Sequence, residues 1–203
     1  MSLEDIVICR LCKSYGGKIV LENFGARLTA GAVTCLMAPS GWGKTTLLRI
    51  LMGLTEADSG TVTGLAGRRL SAVFQEDRLC PCLSPADNLR LTAPGLTAVG
   101  AREALGAMGL AQWADAPLSH LSGGMRRRVA ILRALTAPYD VLLLDEPYRG
   151  LDGETKALAI AETLRRREGR TVLAVTHDPE EAKALGAAET IVCGQRGRSA
   201  RDF

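Results

Sequence analysis

The sequence predicts an α/β domain with a mostly parallel sheet covered on both faces, an antiparallel β lobe, and a helical subdomain inserted in the core. Three observations carry this prediction. Short aliphatic runs at residues 33–38, 141–144 and 171–176 are separated by helical stretches, the alternation that builds parallel sheets. The first run ends in a glycine-rich loop, Pro39-Ser40-Gly41-Trp42-Gly43, followed at once by apolar residues at helical spacing. Between about residues 76 and 138 the pattern changes, because Pro81, Pro85, Pro94 and Pro117 break the chain into short helices.

Each element follows from local chemistry. Residues 6–11 and 18–21 are β-like segments around a turn at Gly16-Gly17. Residues 33–38 form a strand and 44–51 a helix. Ser59-Gly60 and Gly64 then punctuate another strand pair, which ends at residues 71–75. Residues 101–110 make a helix with Ala104, Leu105 and Met108 on one face. Ser122 is a good N-cap, and the 14 residues after it carry Val129, Leu132 and Leu135 on one side. Residues 141–144 are a continuous buried strand. Residues 153–168 form a helix stopped by Gly169. A strand at 171–176, a short helix from Asp178 and a strand at 190–193 complete the domain. The basic tail from Gln195 to Phe203 is expected to fray. One domain spans 1–203, with residues 1–75 and 139–203 as core and lobe and 76–138 as the helical subdomain.

The bulk numbers narrow the function. At 203 residues, with 47% apolar and 23% charged, the chain can bury a sizeable core without a disulfide or metal staple. A net charge of +3 and 4% aromatics argue against a nucleic-acid partner. No apolar run approaches the roughly 20 residues that cross a bilayer, and no signal pattern follows the acidic N-terminus. The expectation is a cytoplasmic chain that reaches any membrane through a partner. The six cysteines, Cys9, Cys12, Cys35, Cys80, Cys82 and Cys193, are expected as reduced thiols. Cys9 and Cys12 have a zinc-like spacing, but residues three apart on a strand point to opposite faces.

Three constellations carry chemistry. The first is Ala38-Pro39-Ser40-Gly41-Trp42-Gly43-Lys44-Thr45-Thr46. Small residues there let backbone N–H groups wrap a phosphate, and the following helix aims its positive end at the same anion. Lys44 would reach the β- and γ-phosphates and the Thr45 hydroxyl would ligate Mg²⁺. Ala38 replaces the usual first glycine and is tolerable if its φ stays negative. The second is Val141-Leu142-Leu143-Leu144-Asp145-Glu146-Pro147, a buried strand presenting two carboxylates. Asp145 would bind Mg²⁺ and Glu146 would orient and polarise an attacking water. A solvated strand exit is the plainer reading of that pair. The third is Leu121-Ser122-Gly123-Gly124-Met125, where two glycines at a capped helix start allow close approach of an anion.

Along the chain they follow as the 38–46 loop, the 121–125 segment and the 141–147 carboxylate strand, and in that order they resemble the nucleotide-binding subunit of ABC transporters; the resemblance covers nearly the whole chain. It implies a P-loop NTPase core, ATP and Mg²⁺ as ligands, and ATP hydrolysis. It also implies a second copy of the chain, whose Ser122, Gly123 and Gly124 close on the ATP held by the first, and integral membrane permease subunits as partners. Localisation would then be peripheral, at the cytoplasmic face of the membrane. Met125 departs from the family's usual glutamine. Tyr15 stands where an aromatic ring stacks on adenine, although an ordinary core or surface tyrosine is the alternative. Gln75 would touch Mg²⁺ or water and report to the membrane partner; Asp152 would couple the two sites across the dimer. His177 would bond the γ-phosphate and help fix the water, a role resting on the resemblance. Arg126 to Arg128 read as a solvated helix face or as lining of the dimer cleft.

Other ABC-type ATPases act in DNA repair or translation, but those carry a coiled-coil insert or two cassettes, and no heptad pattern separates Gln75 from Ser122. A regulatory module without hydrolysis would lack Glu146 or His177. Family exporters usually fuse this domain to membrane helices, so a chain expected to stand alone favours import over export, and residues 74–79 and 85–89 look most like subunits importing nitrate, sulfonate, taurine or related small solutes.

Overall fold

The computed structural model describes residues 4–194, so the expectation for the 195–203 tail lies outside the described residues. Two sheets share the chain. In the first, β1 (Ile6–Tyr15) and β2 (Lys18–Leu28) form an antiparallel hairpin, and β4 (Ser59–Thr63) pairs with the other edge of β1. Both hairpin strands run further than their apolar segments. β1 continues past an irregularity between Ile8 and Leu11, where Arg10 takes a φ of 49°. Gly60 faces this bulge, and a Cβ there would lie 2.4 Å from the Arg10 carbonyl oxygen. Only glycine fits so close an approach.

The second sheet is parallel, in the order β5-β6-β7-β3-β8, with β3 (Val33–Met37), β5 (Leu70–Val73), β6 (Val141–Asp145), β7 (Thr171–Val175) and β8 (Glu189–Val192). The strand pair expected around residues 59–75 is therefore not a pair. β4 belongs to the lobe and β5 to the edge of the parallel sheet. The cause lies just before each β5–β6 partner: the Asp140 carboxylate accepts from the Arg69 backbone N–H at 2.8 Å and from its guanidinium at 3.0 Å, which fixes β5 beside β6.

β6 and β7 are buried along their whole length, as parallel strands under two layers must be. Alternate residues serve different layers. Leu142, Leu144, Val172, Ala174 and Cys35 face the helices. Val141, Leu143, Leu173, Val175 and Leu36 face α1 (Lys44–Leu51) and the lobe, where Ile8, Leu11, Phe24 and Leu47 complete the packing. A one-residue slip of β6 would exchange these two sets.

Between β5 and β6, α2 (Pro85–Thr92), α3 (Ala98–Gly106) and α4 (Gly123–Thr136) bury Leu89, Leu105, Val129 and Leu132 in the same cluster as the sheet. The helix expected over 101–110 runs from 98 and stops at Gly106, so Met108 joins that cluster from the turn that follows, where Gly109 takes a φ of 68°. These helices thus share the core's apolar layer. Ser84, Thr97, Ser122, Asp152 and Asp178 each accept a backbone N–H at a helix start, the caps of α2, α3, α4, α5 (Gly153–Arg167) and α6 (Pro179–Ala184). α5 ends one residue earlier than its Gly169 suggests, because Glu168 already takes the left-handed conformation at φ 47°. No helix among the described residues is long and apolar enough to cross a membrane.

Candidate nucleotide site

The ends of β3 and β6 bring the glycine loop and the carboxylate pair together. Ala38 is not among the residues with positive φ, as its place in the loop requires. The left-handed turns fall on Gly41 and Gly43, at φ 77° and 109°. A Cβ on Gly43 would lie 2.8 Å from a Val20 methyl and 2.9 Å from the Val20 carbonyl oxygen, so the β lobe seats directly on the loop. Trp42 turns inward, 3% exposed, with its ring edge-to-face on Phe24 at 5.2 Å. No side chain caps α1, which leaves the N–H groups of its first turn and of the loop facing an anion site.

Four side chains converge on that loop. Lys44 Nζ donates to the Ala38 and Pro39 carbonyls at 2.9 and 3.2 Å and lies 3.8 Å from Glu146 Oε1. The Thr45 hydroxyl donates to Asp145 Oδ2 at 2.9 Å. Burial at the end of β6 pushes the Asp145 carboxyl above its ordinary range, against the Thr45 hydrogen bond, and the neighbouring Glu146 charge adds to the rise. A buried carboxylate beside a hydroxyl is a hard-oxygen donor set that fits a cation such as Mg²⁺.

Glu146 adopts φ 45°, a conformation side chains rarely take, and its N–H donates to the Val175 carbonyl at 2.9 Å. This turn places its carboxylate between three groups: His177 Nδ1 at 3.6 Å, Lys44 Nζ at 3.8 Å and Arg149 at 3.5 Å. A cavity of about 310 Å³ is lined by residues 40–46, Val20, Gln75, Asp145, Glu146 and Arg149. Ser40, Gly41, Trp42, Gly43, Lys44, Thr45, Thr46, Gln75, Asp145 and Glu146 are thus brought together, with Pro39 behind Lys44 and His177 at the rim.

The remaining predicted residues stand apart. Ser122 and Gly123 are exposed at the start of α4, and neither they nor Gly124 line the cavity. Ser122 accepts from the Met125 N–H at 3.3 Å, the capping bond expected of it. Tyr15 is 47% exposed in the lobe, with Lys13 Nζ 5.3 Å from its ring centre; the lobe's wall of the cavity is Val20 instead. Asp152 has a local task, accepting from the Thr155 N–H at 2.9 Å as the cap of α5.

One expectation is overturned. Of the three arginines 126–128, Arg127 is buried rather than solvated. Its guanidinium donates to the carbonyls of Pro147 (2.7 Å), Phe74 (2.6 Å), Glu146 (2.8 Å) and Asp145 (3.2 Å), and it pairs with Asp77 at 3.2 Å. Arg128 also turns inward, donating to the Met108 carbonyl at 2.7 Å, and only Arg126 is exposed. The sequence held a signal: Arg127 lies four and seven residues before Ile131 and Ala134, on one buried face of α4. Arg149 was missed for a different reason, since nothing local distinguishes it from a surface arginine.

Known proteins place this arrangement. Residues 21–149 match the family model described as ABC transporter. An aliphatic sulfonates import ATP-binding protein of Agrobacterium fabrum is 40% identical over 88% of this chain and 72% of its own length. Another, of Yersinia pestis, is 40% identical over 94% of this chain and 73% of its own. A dimeric ATP-binding cassette solved in a post-hydrolysis state with ADP and Pi superposes with a TM-score of 0.83 at 27% identity, covering 97% of both chains. With the glycine loop, the carboxylate strand and the Leu121–Gly124 segment in one fold, the chain belongs to the ABC transporter family, as an ATP-hydrolysing nucleotide-binding subunit.

Proposed function

We propose that two copies of this chain close around two ATP molecules, and that hydrolysis there powers the import of a small solute through membrane permease subunits. The observation that carries this reading is the separation of the two half-sites. Residues 40–46 and the Asp145–Glu146 pair surround one cavity, while Ser122 and Gly123 open outward at the start of α4, with Gly124 half-buried beside them. A helix start with two bare glycines is built to approach an anion, and within its own chain it has none to approach.

In this reading the loop N–H groups and Lys44 hold the phosphates, and Thr45 and Asp145, with Gln75, hold Mg²⁺. Held there, Mg²⁺ would supply positive charge against that developing on the phosphoryl oxygens. Glu146 accepts a hydrogen bond from the attacking water, and His177, 3.6 Å from the Glu146 carboxylate, keeps that carboxylate turned toward the cavity. Catalysis is mostly positioning, because phosphoryl transfer needs little covalent help. Tyr15, exposed on the lobe, would stack on the adenine, and Asp152, the cap of α5, would couple the two sites.

Import rests on the relatives, whose names describe import of aliphatic sulfonates. A second cleft, about 570 Å³ between the core and the helical subdomain, supports the membrane partner. It is lined by Met52, Leu54, Leu70, Phe74, Thr92 and Arg133 and adjoins the Gln75 turn. Leu54 is 60% exposed there, an apolar side chain left for a partner to cover. The chain would then sit peripherally at the cytoplasmic face.

Replacing Glu146 with glutamine tests the reading. Glu146→Gln should bind MgATP, lose turnover by at least about 100-fold, and elute as a dimer with ATP on size exclusion. Hydrolysis at the wild-type rate would overturn the assignment of Glu146. An ATP-bound monomer at saturating Mg²⁺ would overturn the two-copy site.

A further inference from the structure

Away from the nucleotide cavity, the loop between the Gln75 turn and α2 carries two thiols side by side. The sulfurs of Cys80 and Cys82 are 3.6 Å apart, with Cys82 exposed and Cys80 half-buried. Their backbone is held from beneath. Asn88 is fully buried; its Oδ1 accepts from the Cys80 N–H at 2.8 Å, and its Nδ2 donates to the carbonyls of Cys80 (3.1 Å), Leu83 (3.2 Å) and Ser84 (3.0 Å). Leu83 N–H returns to the Cys80 carbonyl at 3.1 Å. Pro81 between the thiols restricts φ. On the other side Arg133 of α4 donates to the carbonyls of Asp77 (3.1 Å) and Arg78 (2.8 Å); its charge only partly offsets the Cys82 hydrogen bond and the burial that push the Cys80 thiol up. The backbone that carries the two thiols is therefore held before anything binds, which lowers the ordering cost of a ligand.

The spacing selects among thiol chemistries. A disulfide needs sulfurs about 2.05 Å apart, so the pair would have to close by about 1.5 Å. A linear two-thiolate centre, with bonds near the 2.3 Å of zinc–sulfur, needs them about 4.6 Å apart. At 3.6 Å, two such bonds to one atom enclose about 103°. That angle suits a pyramidal or tetrahedral centre. A tetrahedral zinc would want further protein ligands, and no group of three or more His, Cys, Asp or Glu side chains suited to a metal occurs among the described residues. A pyramidal centre that brings its own third substituent needs only two sulfurs.

We propose that Cys80 and Cys82 form a chelating dithiol site for one trivalent arsenical bearing a single organic substituent. The step balances without oxidation. The arsenic–oxygen bond of the arsine oxide breaks, two arsenic–sulfur bonds form, and the oxygen leaves as water with both thiol protons. The second bond is intramolecular, so a pair exceeds a single thiol by an effective-concentration factor. The other four thiols are poorer candidates. Cys35 and Cys193 are buried, with their thiols pushed up to about 11 by burial. Cys9 and Cys12 flank the β1 bulge, and the Cys12 sulfur already accepts from the Asn23 N–H at 3.2 Å.

Phenylarsine oxide is the probe, added to the reduced chain in excess monothiol, with intact mass and titratable thiols as readouts. One adduct per chain with loss of two thiols is expected. Cys80→Ser and Cys82→Ser should each weaken binding by at least about 100-fold, while a Cys9→Ser/Cys12→Ser chain keeps the wild-type affinity. Melting temperatures within a degree or so of wild type would show that the exposed-loop variants are folded. An adduct that persists in the Cys80→Ser/Cys82→Ser chain would overturn the proposal. So would single variants that bind as tightly as wild type, or adduct formation only after urea.

Discussion

Removing the Arg127 side chain should damage both stability and catalysis, because one guanidinium ties together the ends of two strands. It spans the carbonyls after β5 (Phe74, and Gln75 at 3.3 Å) and those at the end of β6 (Asp145, Glu146, Pro147), with 6% of its side chain exposed. Hydrogen bonds to a charged donor are worth about 1.5–3 kcal/mol each, but they share one side chain and do not add. Breaking a buried ionic group typically costs about 3–5 kcal/mol, and that range is the working figure for Arg127→Met, which keeps most of the volume. For a domain of this size it corresponds to a fall in Tm of roughly 6–20 °C. Arg127→Lys keeps the charge but cannot fork to both strands, so it should recover less than half of the loss. Urea unfolding measures the stability. Steady-state hydrolysis of MgATP measures the rest, where kcat should fall more than KM rises, since Gln75 and Glu146 are displaced while the phosphate loop is untouched. A loss under about 1 kcal/mol with unchanged kcat would refute the reasoning.

Three further outcomes follow from the site and the lobe. Gly43→Ala forces a side chain into φ 109° with its Cβ 2.8 Å from Val20, which should cost about 1–3 kcal/mol and abolish ATP binding by calorimetry; wild-type affinity would contradict the close seating of the lobe. Asp145 has a raised carboxyl pKa, so its ionised form costs stability as pH rises above the ordinary 3.8. Asp145→Asn should therefore melt higher than wild type without nucleotide at neutral pH, lose that advantage in acid, and show no Mg²⁺-dependent stabilisation by ATP. Asp58 behaves oppositely: bonds from Lys13 and Ser14 hold it at about 2, below its ordinary 3.8. Its contribution is full above that ordinary value and disappears as pH falls through about 2, so urea midpoints of wild type and Asp58→Asn should converge between pH 4 and 2.

The two half-sites and the fold were unequally legible. The phosphate loop and α1 could be read residue by residue, because the constraint is local: small residues, positive φ at Gly41 and Gly43, and a helix that begins at Lys44. The carboxylate strand was legible for a similar reason, since four consecutive aliphatics followed by two acids mark a buried strand and its exit. What went astray was non-local. Nothing in residues 59–75 says that one half pairs with β1 and the other with β6, because strand propensity carries no address. The three consecutive arginines looked like solvent-facing charge, and Arg127 is inward only because β5 and β6 end beside α4 and leave carbonyls there to satisfy.

The sequence by itself determined which groups the proposed chemistry can draw on: a glycine loop, a hydroxyl at Thr45, carboxylates at Asp145 and Glu146, and a capped helix start at Ser122. Each depends on residue type and near-neighbour spacing, which the chain states outright. The tertiary structure decided which of these meet. It put Gln75, 30 residues downstream of Thr45, into the same cavity as the glycine loop, hung Glu146 in a left-handed turn within 3.6 Å of His177, and left Ser122 and Gly124 outside. Those distances come from strand order and from the packing of α4 against β5 and α5, contacts between segments far apart in sequence. No local preference encodes them.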